Sequence, residues 1–107
     1  MSSAARGETP EVNGTGAVAD LTAFQRDILR ILDRENHQKG LSIKAELETY
    51  YGIAVNHGRL YPNLDTLVEE GLVEKGERDR RTNDYALTDD ARDALDRRDQ
   101  WVAGGGE

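Results

Sequence analysis

Between Val55 and Thr88 the sequence carries a helix start, a helix stop and a hairpin in immediate succession, and that order leaves few folds open. Asn56 is an N-cap residue, with Val55 before it and Leu60 in the first turns placed to form a hydrophobic staple. Leu60, Leu64, Leu67 and Val68 then fall on one helical face until Gly71 stops the run. Pro62 removes one backbone donor from this helix and disfavours ideal angles at Tyr61, so a distorted first turn is expected. Leu72 to Glu77 and Asn83 to Leu87 are expected to pair as antiparallel strands around Arg78 to Thr82, with Tyr85 and Leu87 facing inward by period-two alternation.

The flanking segments complete the pattern. Thr22 and Gln25 form a capping box that opens a helix in which Phe24, Ile28, Ile31 and Leu32 recur at helical spacing through about Glu35. Leu29 lies off that stripe and widens the apolar face. Asn36 to Gly40 read as a polar loop, and Ser42 as the cap of a short second helix with Ile43, Leu47, Tyr50 and Tyr51 on one side. Gly52 ends that helix, and Ile53 to Val55 connect it to the next at helix-turn-helix spacing. Thr88 caps a last helix with Asp89 and Asp90 in its first turn and Arg97 and Arg98 later, matching the helix dipole at both ends, before Gly104 to Gly106 stop it.

The predicted order is helix, helix, helix, strand, strand, helix: a mainly α fold with a small β-hairpin, the winged helix-turn-helix. Residues 1–19 lack apolar periodicity and read as a flexible tail. Residues 20–103 form the domain, with the last helix spanning 88–103, and residues 104–107 are a second tail.

A chain of 107 residues with 36% apolar content builds one modest core and leaves no room for a large buried catalytic cavity. No apolar run reaches membrane-spanning length and the first twenty residues lack a secretory apolar centre, so a cytoplasmic location and no membrane partner are expected. The absence of cysteine excludes disulfides, thiolate catalysis and cysteine-based zinc sites. The net charge of −7 runs against the usual basic footprint of a nucleic-acid binder. Of its 14 basic residues only Lys39, Lys44 and Lys75 are lysine, a balance that resembles proteins of salt-accumulating halophiles. In molar salt the Debye length is about 3 Å, so net charge no longer decides whether two surfaces meet.

The helix from His57 and the hairpin after it carry the chemistry of duplex DNA recognition. Base reading needs side chains that hydrogen-bond base edges from a helix in the major groove, and phosphate contacts that fix its register. Arg59, Asn63 and Thr66 are placed off the Leu64 stripe, with Arg59 suited to guanine and Asn63 to adenine. His57 and Gly58 lie at the helix N-terminus, where backbone amides approach a phosphate. Glu69 and Glu70 at the far end repel phosphates, so the N-terminal half should be the part inserted. Arg78, Arg80 and Arg81 concentrate at the hairpin tip of an otherwise acidic chain, which suits phosphate or minor-groove contact.

Here the sequence resembles the PadR-like family of winged-helix transcriptional regulators, of the halophilic archaeal type. The resemblance rests on Gly58-Arg-Leu-Tyr-Pro62, the following Leu64 and Leu67, Gly71-Leu-Val73, and the run from Arg80 to Thr88, and it covers roughly residues 21–102. It implies a dimeric repressor or activator, with repression the expected action, that binds an inverted-repeat operator in double-stranded DNA. Many members carry a longer C-terminal helical region used for dimerisation and near an effector pocket. One helix of about fifteen residues stands here, so no small-molecule effector is assigned. The homodimer is then expected to use Ala91, Ala94, Leu95, Trp101 and Val102 of the last helix, with the wider face of the first helix as a further surface.

Other chemistries find less support. His37 and His57 have no spaced ligand partners, so no metal or cofactor is expected. No nucleophile and base pair and no glycine-rich phosphate loop occurs, so no catalytic residue is assigned and the chain is not expected to be an enzyme. Tyrosines 50, 51, 61 and 85 fit core or domain-edge positions better than a ligand cavity. The competing reading is a winged helix that binds protein within transcription or chromosome machinery. The polar exposed positions of the third helix and the basic wing favour DNA.

Overall fold

The protein was analysed as a computed structural model that describes residues 18–104. The elements run α1 (Ala23–Arg34), β1 (Gln38–Lys39), α2 (Gly40–Tyr51), α3 (His57–Glu69), β2 (Val73–Asp79), β3 (Thr82–Leu87) and α4 (Asp89–Val102). The sheet is antiparallel in the order β1-β3-β2, which is a winged helix-turn-helix with a third, very short strand.

Local signals fix most boundaries. Thr22 and Gln25 form the reciprocal capping box at α1, and the helix ends at Arg34 with Glu35 as C-cap. Gly52 and Gly71 adopt φ values of 75° and 78°, the left-handed conformation in which glycine meets no Cβ penalty. Asn56 Oδ1 accepts from the Arg59 N–H, and α3 runs through Pro62 to Glu69 without interruption. Position 62 falls in the second turn, so the missing donor costs a single helical bond. Thr88 caps α4 through the Ala91 N–H.

Several expectations change. The Asn36–Gly40 tract is not all loop: Gln38 and Lys39 pair with Tyr85 and Asp84. Gln38 is buried, and its amide donates to the carbonyls of Ile31 and Glu35, which satisfies a polar side chain inside the fold. Helix α2 therefore starts at Gly40, and its N-cap is Lys39 with no side-chain cap bond, rather than Ser42. Glycine is required there because a Cβ on Gly40 would lie 2.5 Å from Tyr61 Oη. Close approach of Tyr61 thus selects the residue type at the first position of α2.

The core joins Phe24, Ile28, Leu29, Ile31 and Leu32 of α1 to Ile43 and Leu47, to Leu60, Leu64 and Leu67, and to Tyr85 and Leu87. Leu29, which widens the apolar face of α1, is fully buried in its own domain and so is not on offer to a second copy. Tyr51 packs against the core, whereas Tyr50 is 79% exposed and leaves the predicted apolar side of α2. Ala86 is buried along with Tyr85 and Leu87, so alternation fails at the end of β3, where the sheet enters the body. Val18, placed by composition in the tail, is buried in the same core; residues 1–17 and 105–107 of the two expected tails lie outside the described residues. Helix α4 continues to Val102, so Arg97 and Arg98 precede its last turn, which carries no basic residue.

The turn of the helix-turn-helix is braced by one carboxylate. Glu48 accepts from the Val55 N–H at 2.8 Å and from Lys44 Nζ at 2.9 Å, and the backbone bond above all holds its acid below the usual range.

Candidate nucleic-acid interface

Helix geometry sorts the side chains of α3. Leu60, Leu64 and Leu67 face the core, so at 100° per residue the opposite, outward face carries Gly58, Pro62, Asp65 and Glu69. All four are exposed. Arg59 and Tyr61 lie on opposite flanks of that face, and each meets a different element.

On the Arg59 flank the guanidinium carbon stands 3.9 Å from the centroid of the Phe24 ring. Asn63 follows one turn later but does not point freely outward as its position suggested. Its Oδ1 accepts from Gln25 Nε2 at 2.8 Å and its Nδ2 donates to the Arg59 carbonyl at 2.7 Å. Thr66 is half-buried, and its hydroxyl donates to the Pro62 carbonyl at 3.1 Å.

On the other flank, Tyr61 packs edge-on against His57, with ring centroids 5.6 Å apart. Tyr61 also borders a cleft of about 330 Å³ between α3, the start of α2 and the wing, lined by Lys39, Gly40, Leu41, Arg81, Thr82, Asn83 and Tyr85. Lys39, Leu41 and Tyr61 were missed in the sequence. Lys39 was read as part of a loop, and only its pairing opposite Asp84 brings it beside the wing.

The wing itself is longer than predicted, with Val73–Asp79 against Thr82–Leu87 and only Arg80 and Arg81 at the turn. A register shift between Glu77 and Asp79 bulges the strand at Arg78. Asp79 Oδ1 accepts from the Arg81 N–H at 2.9 Å, which shapes the turn and draws the Asp79 acid below its ordinary range. Arg80 and Arg81 are exposed. Arg78 is not available in the same way, because it is bonded to Asp84 and to the His37 carbonyl.

The model of the transcriptional regulator PadR-like family matches residues 28–97, the span that contains the helix-turn-helix and the wing. The chain belongs to this family. Solved structures agree. RosR of H. salinarum, in crystals grown from NaBr, is 58% identical over 80% of this chain and 77% of its own, with a TM-score of 0.76. The complex structure of hsRosR-S4 shares 54% identity over 87% of this chain and 80% of that one, with a TM-score of 0.83. F93 from STIV, a winged-helix DNA-binding protein, is 16% identical with a TM-score of 0.63 over 78% of this chain and 91% of its own, which supports the fold alone. Comparison with curated proteins gives no match.

This PadR-like chain is thus a DNA-binding transcriptional regulator of winged-helix fold and halophilic archaeal type. Its acidic, arginine-dominated composition fits the H. salinarum neighbours. Among the described residues no helix is long and apolar enough to cross a membrane, and no three His, Asp or Glu side chains are grouped to hold a metal ion.

The expected dimer surface divides in two. Ala91, Ala94 and Leu95 are buried in the core of their own chain and are not on offer to a partner. Their spacing marks the inward stripe of α4, which packs the helix onto its own domain. Trp101 and Val102 are 69% and 65% exposed, and Arg98 lies over the Trp101 ring at 5.8 Å.

Proposed function

We propose that this regulator is a homodimeric, cytoplasmic repressor that occupies an inverted-repeat operator, acting by binding rather than by turnover. The observation that carries the reading is the arrangement around α3. Its N-terminal half has a cationic side chain on one flank, at Arg59, and on the other a cleft with Lys39 and Arg81 on its walls. A helix in the major groove with cations to one side places base edges against Arg59 and Thr66, and a phosphate against the amides of His57 and Gly58. The phosphate backbone then lies against Lys39, Arg80 and Arg81.

Asn63 has a supporting part in this arrangement, because its amide is already engaged with Gln25 and the Arg59 carbonyl. Arg78 likewise supports the wing from behind. Trp101 and Val102 form the contact between the two copies, whose recognition helices would then read half-sites about 10 base pairs apart. The exposed face of α3 lacks the apolar patch that a protein-binding winged helix would present there.

The test is titration of wild type, Arg59→Ala and Arg80→Ala/Arg81→Ala against a duplex selected by the protein from a randomised pool, its single-base variants and random DNA. Arg59→Ala is expected to cost about 1–3 kcal/mol on the selected duplex and to relax preference at one position per half-site. The wing pair is expected to weaken all duplexes by similar factors. A wing variant with altered base preference, beside an Arg59→Ala that retains it, would reverse the roles. A promoter fusion carrying the selected site decides repression: reporter output should fall when the regulator is expressed.

A further inference from the structure

We propose that Phe24, at the start of α1, is a positioning residue for base recognition, and that it holds the Arg59 guanidinium in the plane from which a guanine is read. The inference rests on the reading of Arg59 as a base contact and adds the residue that makes the contact selective.

Phe24 is only 5% exposed, and its ring stacks on Tyr51 at a centroid distance of 6.2 Å and an interplanar angle of 29°. Tyr51 is in turn held by its hydroxyl, which donates to Asp27 Oδ2 at 2.7 Å. The ring therefore has little freedom, and the guanidinium of Arg59 meets it at 3.9 Å. A guanidinium centred over a ring face is held through its carbon, and where it lies flat on the ring its in-plane N–H groups stay free to bond guanine O6 and N7 in pairs. Among the described residues Arg59 has no carboxylate partner, while Asp27 accepts from the Tyr51 hydroxyl.

Gln25 keeps the same flank in register. Its Oε1 accepts from the Thr22 N–H at 3.0 Å and its Nε2 donates to Asn63 Oδ1, while Asn63 Nδ2 reaches the Arg59 carbonyl. The backbone and the side chain of Arg59 are thus both referred to the first turn of α1. An adenine would need both ends of the Asn63 amide at once, so the flank is built for one guanine per half-site.

The experiment is a double-mutant cycle with Phe24→Leu and Arg59→Ala, read by anisotropy titration on the duplex that wild type selects from a randomised pool and on that duplex with the guanine replaced. Phe24→Leu keeps an apolar side chain in the core and removes the ring face. It is expected to weaken the selected duplex by about 3- to 10-fold, to erase part of the guanine preference, and to add nothing in the Arg59→Ala background. Multiplicative effects of the two changes, or an equal loss on random DNA, would overturn the positioning role. If Arg59→Ala itself leaves the guanine preference intact, the base-contact reading fails first and the inference falls with it. A fold-independent check uses wild type alone. The Arg59 δ-methylene protons should be shifted upfield by the Phe24 ring current in the NMR spectrum, and their appearance at ordinary positions would overturn the proposal.

Discussion

Asp84 bridges the wing to the bend before the sheet: its Oδ2 lies 2.9 Å from His37 Nδ1, and its Oδ1 accepts from Arg78. His37 sits at φ 64°, a conformation costly for a residue with a Cβ, and its carbonyl accepts from Arg78 at 3.3 Å. One arginine and one aspartate therefore fasten the bulged strand to the connection between α1 and α2. Three arginines near the hairpin tip thus divide into one that shapes the wing and two that face solvent.

That division is measurable as salt dependence. Arg78→Ala is expected to lower stability by about 1 kcal/mol, since the pair is partly exposed and screened, while leaving the slope of log affinity against log salt unchanged. Arg80→Ala/Arg81→Ala should instead reduce that slope by about 2 per half-site, about 4 for the dimer, because each phosphate that the protein no longer neutralises keeps roughly one counterion that binding would have released. Urea denaturation and binding titrations at several salt concentrations read the two effects separately. A lowered slope for Arg78→Ala would place that side chain on the DNA.

The same bridge sets an acid limit. Partial burial pushes the Asp84 acid up, but hydrogen bonds and charge from His37 and Arg78 outweigh it, and the group titrates below its ordinary 3.8. A depressed folded-state pKa stabilises fully above the unfolded value and is lost as pH falls through the folded one. Stability should therefore decline below about pH 4, and Asp84→Asn should flatten that decline while lowering stability at neutral pH. Urea midpoints taken down the acid limb check the sign. An identical acid limb in Asp84→Asn would remove the bridge from the account.

Most of this architecture is legible in local sequence because its signals are local. Thr22 with Gln25, Asn56, Gly52, Gly71 and Thr88 each act within one turn of their own position, and each appears in the structure as read. What escapes depends on contacts between distant segments. Lys39 becomes a strand residue because β3 offers it an edge, and position 40 is glycine because Tyr61 lies where a Cβ would be. For Asn63 helical position was legible, but its bond to Gln25, 38 residues earlier, was not. In α4 one apolar stripe meets two environments, its own core from Ala91 to Leu95 and solvent at Trp101 and Val102, because helical position does not say where the body of the domain stops.

Those two segments respond differently to charge. Leu95→Asp places a carboxylate in the core beside Ala91 and should destabilise the fold by roughly 3–5 kcal/mol, enough to unfold a marginal domain. Trp101→Asp/Val102→Asp alters exposed positions and should leave the circular dichroism spectrum of the chain intact while converting a dimer to a monomer and removing the dependence of the thermal midpoint on protein concentration. Light scattering of wild type and the double variant reads the outcome. A wild type that is monomeric at every concentration, or a double variant that remains dimeric, would move the interface elsewhere.

The last expectation concerns the outward face of α3, where Asp65 and Glu69 sit beside the positions proposed to meet DNA. Lys75 Nζ stands 3.8 Å from Asp65, an exposed pairing that offsets only part of the charge. Two carboxylates facing phosphates oppose binding through a field that salt shortens, from a Debye length of about 10 Å at 0.1 M to about 3 Å at 1 M. Removing them should therefore help most where screening is weakest. Asp65→Asn/Glu69→Gln is expected to tighten binding to random duplex DNA strongly at about 0.1 M potassium chloride and little at about 1 M, steepening the fall of affinity with salt. Parallel titrations of wild type and variant across that range give the gain at each concentration. A gain that is constant with salt would mean that the carboxylates act by contact or by helix stability instead of by repulsion across the interface.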